Sequence, residues 1–164
     1  MKKSCIYRIV SLSLVIIFYF ITPVLVAQEK NVEPAIQKKA YSFVVQQVSP
    51  LRGPNIQMTS YYEVKISGDT MRVDLPYFGR AFSAPIDPRQ GGFNFTSTSF
   101  DYKIKKRRKA GWSINIRPMD HRDVQELNMT VFKNGTATLR VISNNRQAIS
   151  YQGFVKENDE RQAF

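Results

Sequence analysis

From Tyr62 to Val155 the apolar residues of this chain recur on alternate positions, with turn-forming residues between the runs. A period of two marks strands with one buried face, which restricts the chain to antiparallel sheet. The hairpins can be registered from the sequence itself. In "YEVKISGDTMRVDL" a two-residue loop at Gly68–Asp69 sets Ile66 opposite Met71, Val64 opposite Val73 and Tyr62 opposite Leu75. One face is then wholly apolar, and Gly-Asp suits a primed turn. In "LNMTVFKNGTATLRV" a two-residue Asn-Gly loop would mix core with solvent. A three-residue loop, Lys133–Asn134–Gly135, pairs Val131 with Ala137, Met129 with Leu139 and Leu127 with Val141, and gives Gly135 the left-handed position. Applied to "DYKIKKRRKAGWSINI", a loop of Lys109–Ala110–Gly111 pairs Arg108 with Trp112, Lys106 with Ile114 and Ile104 with Ile116. That register lays Trp112 under the Arg108 guanidinium.

The remaining segments fit around these hairpins. "VEPAIQKKAY" (Val32–Tyr41) reads as a short helix with Pro34 in its first turn. Phe93 and Phe95 occupy odd positions, whereas Phe100, Tyr102 and Ile104 occupy even ones, so a bulge or sharp bend is expected within Thr96–Ser99. "ISYQGFV" supplies a last strand. The expectation is all-β: an antiparallel meander forming a sandwich or flattened barrel of about eight strands, with one short N-terminal helix. This domain spans 28–155, and 156–164 forms a polar tail.

The first segment sets the compartment. Lys2, Lys3 and Arg8 precede the apolar run Ile9–Ala27, and "QEKN" then turns polar. That order is a secretory signal pattern with cleavage near Ala27, the alternative being a retained anchor. Removing the three basic residues lowers 24 Lys and Arg to 21 against 13 Asp and Glu, a net of +8. The single cysteine, Cys5, leaves with the leader, so the mature chain has no disulfide, thiolate nucleophile or Cys-ligated metal. The expected location is the periplasm or cell envelope, with no transmembrane segment after cleavage.

Two sets of residues carry binding chemistry. Lys103, Lys105, Lys106, Arg107, Arg108 and Lys109, beside Trp112, form a basic run. It reads first as the wet face and tip of a hairpin, where lysines discourage edge-to-edge pairing. Its second reading is an anion site for envelope lipid or polysaccharide. Nucleic acid is not an expected partner, since the leader removes the chain from the cytoplasm. "PYFGRAFSAP" gathers Tyr77, Phe78, Arg80 and Phe82 between two prolines. Pro and Gly exclude a regular central strand. The segment is either a corner with Arg80 paired to an acid or the mouth of a site for an apolar small molecule. His121 has no second histidine to complete a metal or triad set. No catalytic residue, metal or cofactor is expected.

"LPYFGRAFSAP" and "SNNRQAISYQG", with "GGFNF" and "DYKIKKRRKAGW" between them, resemble the exported Bacteroidetes family called domain of unknown function 4251. The resemblance covers about Tyr41 to Val155. It implies a mainly-β envelope protein and no activity, since the family has no established catalytic residues. The function expected is therefore a non-catalytic binding or scaffold module of the envelope. Alternatives are an envelope hydrolase with carboxylates assembled by the fold, and a structural partner of another exported protein.

Overall fold

The computed structural model describes residues 32–82, 91–108 and 111–158. The leader, Lys109 and the stretch 83–90 lie outside them. Two of the three hairpins adopt the register that burial of one face demands. Strands β3 (Glu63–Ser67) and β4 (Thr70–Leu75) pair Ile66 with Met71 and Val64 with Val73. Strands β8 (Val124–Val131) and β9 (Thr136–Ser143) pair Val131 with Ala137, Met129 with Leu139 and Leu127 with Val141. Gly135 sits at φ +83, the left-handed position of that three-residue loop.

These hairpins join β1 (Ala40–Ser49), β5 (Phe93–Ser97), β6 (Phe100–Arg107), β7 (Gly111–Pro118) and β10 (Ile149–Glu157) in one antiparallel sheet. Its order is β5-β4-β3-β1-β10-β9-β8-β7-β6, and the short β2 (Ile56–Gln57) pairs with β1 off this path. Two meanders thus meet at the long β1–β10 ladder, and the whole curls into an open half-barrel. The inward rows are mainly apolar. Tyr41, Phe43, Ile66, Val73, Ile114, Leu127, Leu139 and Tyr151 are fully or almost fully buried on the concave side. Gly153 of β10 permits the close approach of β1, since a Cβ there would lie 1.9 Å from the Val44 carbonyl oxygen.

Helix α1 (Glu33–Gln37) places Ala35 and Ile36 into the curl. It is shorter than the span Val32–Tyr41 expected from composition. Lys39 takes φ +52 and turns the chain into β1, and Tyr41 joins the sheet as a core residue because its phenol fills the interior. The all-β antiparallel fold expected is the one observed; the described residues form ten strands in one curled sheet, so of the sandwich and the flattened barrel the barrel-like arrangement is found. The bend expected within Thr96–Ser99 is a corner: β5 ends at Ser97, β6 begins at Phe100, and the two form opposite edges of the sheet. The Asp120 carboxylate fastens it, accepting from the Ser97 hydroxyl (2.5 Å) and the Thr98 amide (2.8 Å).

The β6–β7 hairpin corrects the register read from sequence. Lys106 lies opposite Trp112, Ile104 opposite Ile114 and Tyr102 opposite Ile116, a slip of two residues. Such a slip keeps every side chain on its face, so burial alone cannot choose between the two registers. Pairwise charge can. The observed register sets Asp101 opposite Arg117, whereas the expected one opposed Lys103 to Arg117.

Candidate functional site

Near the β6–β7 tip the inward row of β6 ends in cations. Lys106 projects on the same side as its partner Trp112, which is flanked on its other side by Val131 of β8. Gly111 follows the loop at φ +86, and a Cβ there would lie 2.4 Å from the Val131 carbonyl oxygen. The missing side chain lets β7 press against β8 and leaves space above. Lys133 enters from the β8–β9 loop, and Glu33 of α1 reaches Lys106 at 3.2 Å. Together with Arg107 and Arg108 they bound an open groove of about 590 Å³.

Trp112 is in the wall of this groove and only 5% exposed, so it is a core residue and not a ring laid on the surface under Arg108. Its Nε1–H is buried and has no acceptor among the described residues. A buried donor left unpaired costs about 1–3 kcal/mol. Four cations and one carboxylate surround that wall.

The basic run is thereby divided. Lys106, Arg107, Arg108 and Trp112 belong to the groove. Lys103 and Lys105 belong to the outward row, opposite Asn115 and Ser113. Lys103 binds Asp101 at 2.8 Å, and its hydrogen bond is the main reason the Asp101 carboxyl is held below its ordinary range. Lys109 lies outside the described residues. Glu33 and Lys133 escaped the sequence reading of this site because they come from α1 and the β8–β9 loop, brought in by long-range pairing.

The aromatic segment is a fastened corner. The Tyr77 hydroxyl donates to the Arg80 carbonyl (2.7 Å) and the Gln147 carbonyl (3.2 Å). Its ring meets Phe93 edge-on at 5.5 Å. Arg146 lies over both rings, at 5.3 Å and 5.0 Å, and donates to the Gly92 carbonyl at 3.0 Å. Backbone bonds run from Gln147 to Arg80 and from Phe82 to Asn145. The two stretches that carry the family resemblance therefore pair with each other.

Tyr77, Phe78 and Arg80 line a small cleft of about 300 Å³ with Leu51 and Arg52, while Phe82 projects elsewhere and is 69% exposed. Arg80 has no carboxylate within ion-pair reach among the described residues. His121 stacks on Phe95 at 3.9 Å, and its Nδ1 accepts from the Val124 amide, which makes it part of the β7–β8 connection. Among the described residues no three His, Cys, Asp or Glu side chains converge, and no helix is long and apolar enough to cross a membrane.

The family model described as domain of unknown function (DUF4251) matches residues 26–155. The fold is similar to the crystal structure of a DUF4251 family protein from Bacteroides eggerthii DSM 20697, with a TM-score of 0.52 at 17% identity, over 76% of this chain and 83% of that one. No curated protein matches the sequence.

Proposed function

The chain belongs to the DUF4251 family, and from that premise we propose that it is a non-catalytic, exported module that binds an anionic group of an envelope glycan or lipid in the groove beside Trp112. The observation that carries the reading is a groove framed by Lys106, Arg107, Arg108 and Lys133, four cations against the single carboxylate of Glu33, with the Trp112 side chain in its wall. Guanidinium and ammonium groups draw in a carboxylate or phosphate. The non-catalytic part rests on the walls. Among the described residues, three grooves carry Glu33, no acid and Asp74 respectively, whereas a glycosidase needs two facing carboxyl groups in one cleft.

Retention on immobilised polygalacturonate and on phosphatidylglycerol vesicles tests the reading. The wild type is expected to bind and to elute with salt. The variant K106E/R108E/K133E is expected to lose retention, while K103E/K105E, on the outward face, keeps most of it. Equal loss in both variants would reduce the effect to net charge and remove the groove.

A further inference from the structure

The cleft of about 300 Å³ beside the fastened corner shares no lining residue with the groove. The two lie beyond opposite ends of β9: Lys133 belongs to the loop that precedes it, and Gln147 follows its other end. Three features of the cleft go together. Arg52 and Arg80 both line it, and neither has a carboxylate within ion-pair reach among the described residues. Leu51 and Phe78, 62% and 40% exposed, line the same cleft beside the guanidinium groups. The Arg80 carbonyl accepts from both the Tyr77 hydroxyl and the Gln147 amide, so its backbone is held beside the cleft. A held backbone lowers the ordering cost of binding.

We infer that this cleft binds a small anionic amphiphile, with the acid between Arg52 and Arg80 and the first carbons of the tail against Leu51 and Phe78. The paired cations supply complementarity to a carboxylate or phosphate. Exposed apolar side chains set beside them select a tail over a bare ion. An extended peptide fits less well, because the local backbone groups are already used: Arg80 and Phe82 bond to Gln147 and Asn145, leaving no open ladder for an added strand.

Titration of the full chain with decanoate and with decyl phosphate, followed by amide NMR shifts below micelle formation, tests this. Binding is expected with shifts confined to the cleft, and R52A/R80A should weaken it at least about tenfold. L51S/F78S should weaken it as well. All four side chains are exposed, so the fold survives, as an unchanged amide spectrum elsewhere will show. Tighter binding of decanoate points to a fatty-acid-type carboxylate, and tighter binding of decyl phosphate to a lipid phosphate. The groove variant K106E/R108E/K133E should bind as the wild type does, which separates this inference from the proposed function. It is overturned if acetate or octyl glucoside binds equally well, if R52A/R80A changes nothing, or if a short peptide ending in Phe binds more tightly than both amphiphiles.

Discussion

The hydroxyls of Tyr41 and Tyr102 lie 3.0 Å apart, although four strands separate β1 from β6 in the sheet. In a flat sheet five strand spacings would hold those strands roughly 24 Å apart. The bond therefore spans the open side of the curl and ties the edge strand to the centre. Burial, with a smaller contribution from Tyr102, raises the Tyr41 phenol well above its ordinary value. Burial pushes Tyr102 to about 12, against a smaller opposing effect of its bond to Tyr41.

The sign of the resulting pH dependence follows. Both phenols titrate higher in the folded than in the unfolded chain, so their contribution is complete below the ordinary value of 10.0. The share of Tyr102 is lost as pH rises from there through about 12, at about 1.4 kcal/mol per pH unit, and Tyr41 adds a loss of the same sign. Urea midpoints should fall steeply over that window, and Tyr102→Phe should make the fall shallower. An alkaline limb of the same slope in the variant would separate Tyr102 from the effect.

Arg146 is 11% exposed at its side chain and serves as the roof of the corner, over Tyr77 and Phe93. Arg146→Ala should destabilise the protein by about 2–4 kcal/mol, because it removes two ring contacts and the bond to Gly92 and leaves Asp123 without its cation. Arg146→Lys should recover less than half, since an ammonium lacks the planar fork. Chemical denaturation of the three proteins reads both values.

Gly153 and Gly91 make a matched pair. A Cβ at Gly153 would lie 1.9 Å from the Val44 carbonyl oxygen, whereas at Gly91 it would meet nothing within 4 Å. Gly153→Ala should therefore cost more than about 3 kcal/mol or prevent folding, and Gly91→Ala should stay within about 0.5 kcal/mol of wild type. Thermal unfolding distinguishes them.

The register of the basic hairpin can be trapped covalently. Lys105 faces Ser113, so K105C/S113C should oxidise readily in a chain that also carries Cys5→Ser, where no other cysteine interferes. K105C/N115C, the pair that the register read from sequence would favour, sits on a diagonal and should resist. Preferential oxidation of the second pair would restore the original register.

That hairpin marks the boundary of what the residues disclose locally. Alternation assigned the inward and outward faces of every hairpin, including this one, because face is a property of parity. It could not distinguish loops at Arg108–Ala110 and Lys109–Gly111, which share a parity and differ only in pairings such as Asp101 with Arg117. The corner was legible as an interruption in "PYFGRAFSAP", yet its partner Arg146 is more than sixty residues away. The groove was half legible. Its cations stand in one run, but Glu33 and Lys133 arrive only once α1 enters the curl and β7 pairs with β8. Trp112 read as a surface ring because its cationic neighbours suggested solvent, whereas its inward parity, shared with Ile114 and Ile116, was the better guide.

Trp112 is the only tryptophan in the chain, so its emission reports on the groove alone. Titration with polygalacturonate, against neutral dextran as control, is the most direct measurement. A saturable, salt-sensitive change in emission that K106E/R108E/K133E abolishes and K103E/K105E preserves is the predicted result. Emission that stays constant while the protein still binds the polymer would contradict the account, since the anion would then be held somewhere other than beside the indole.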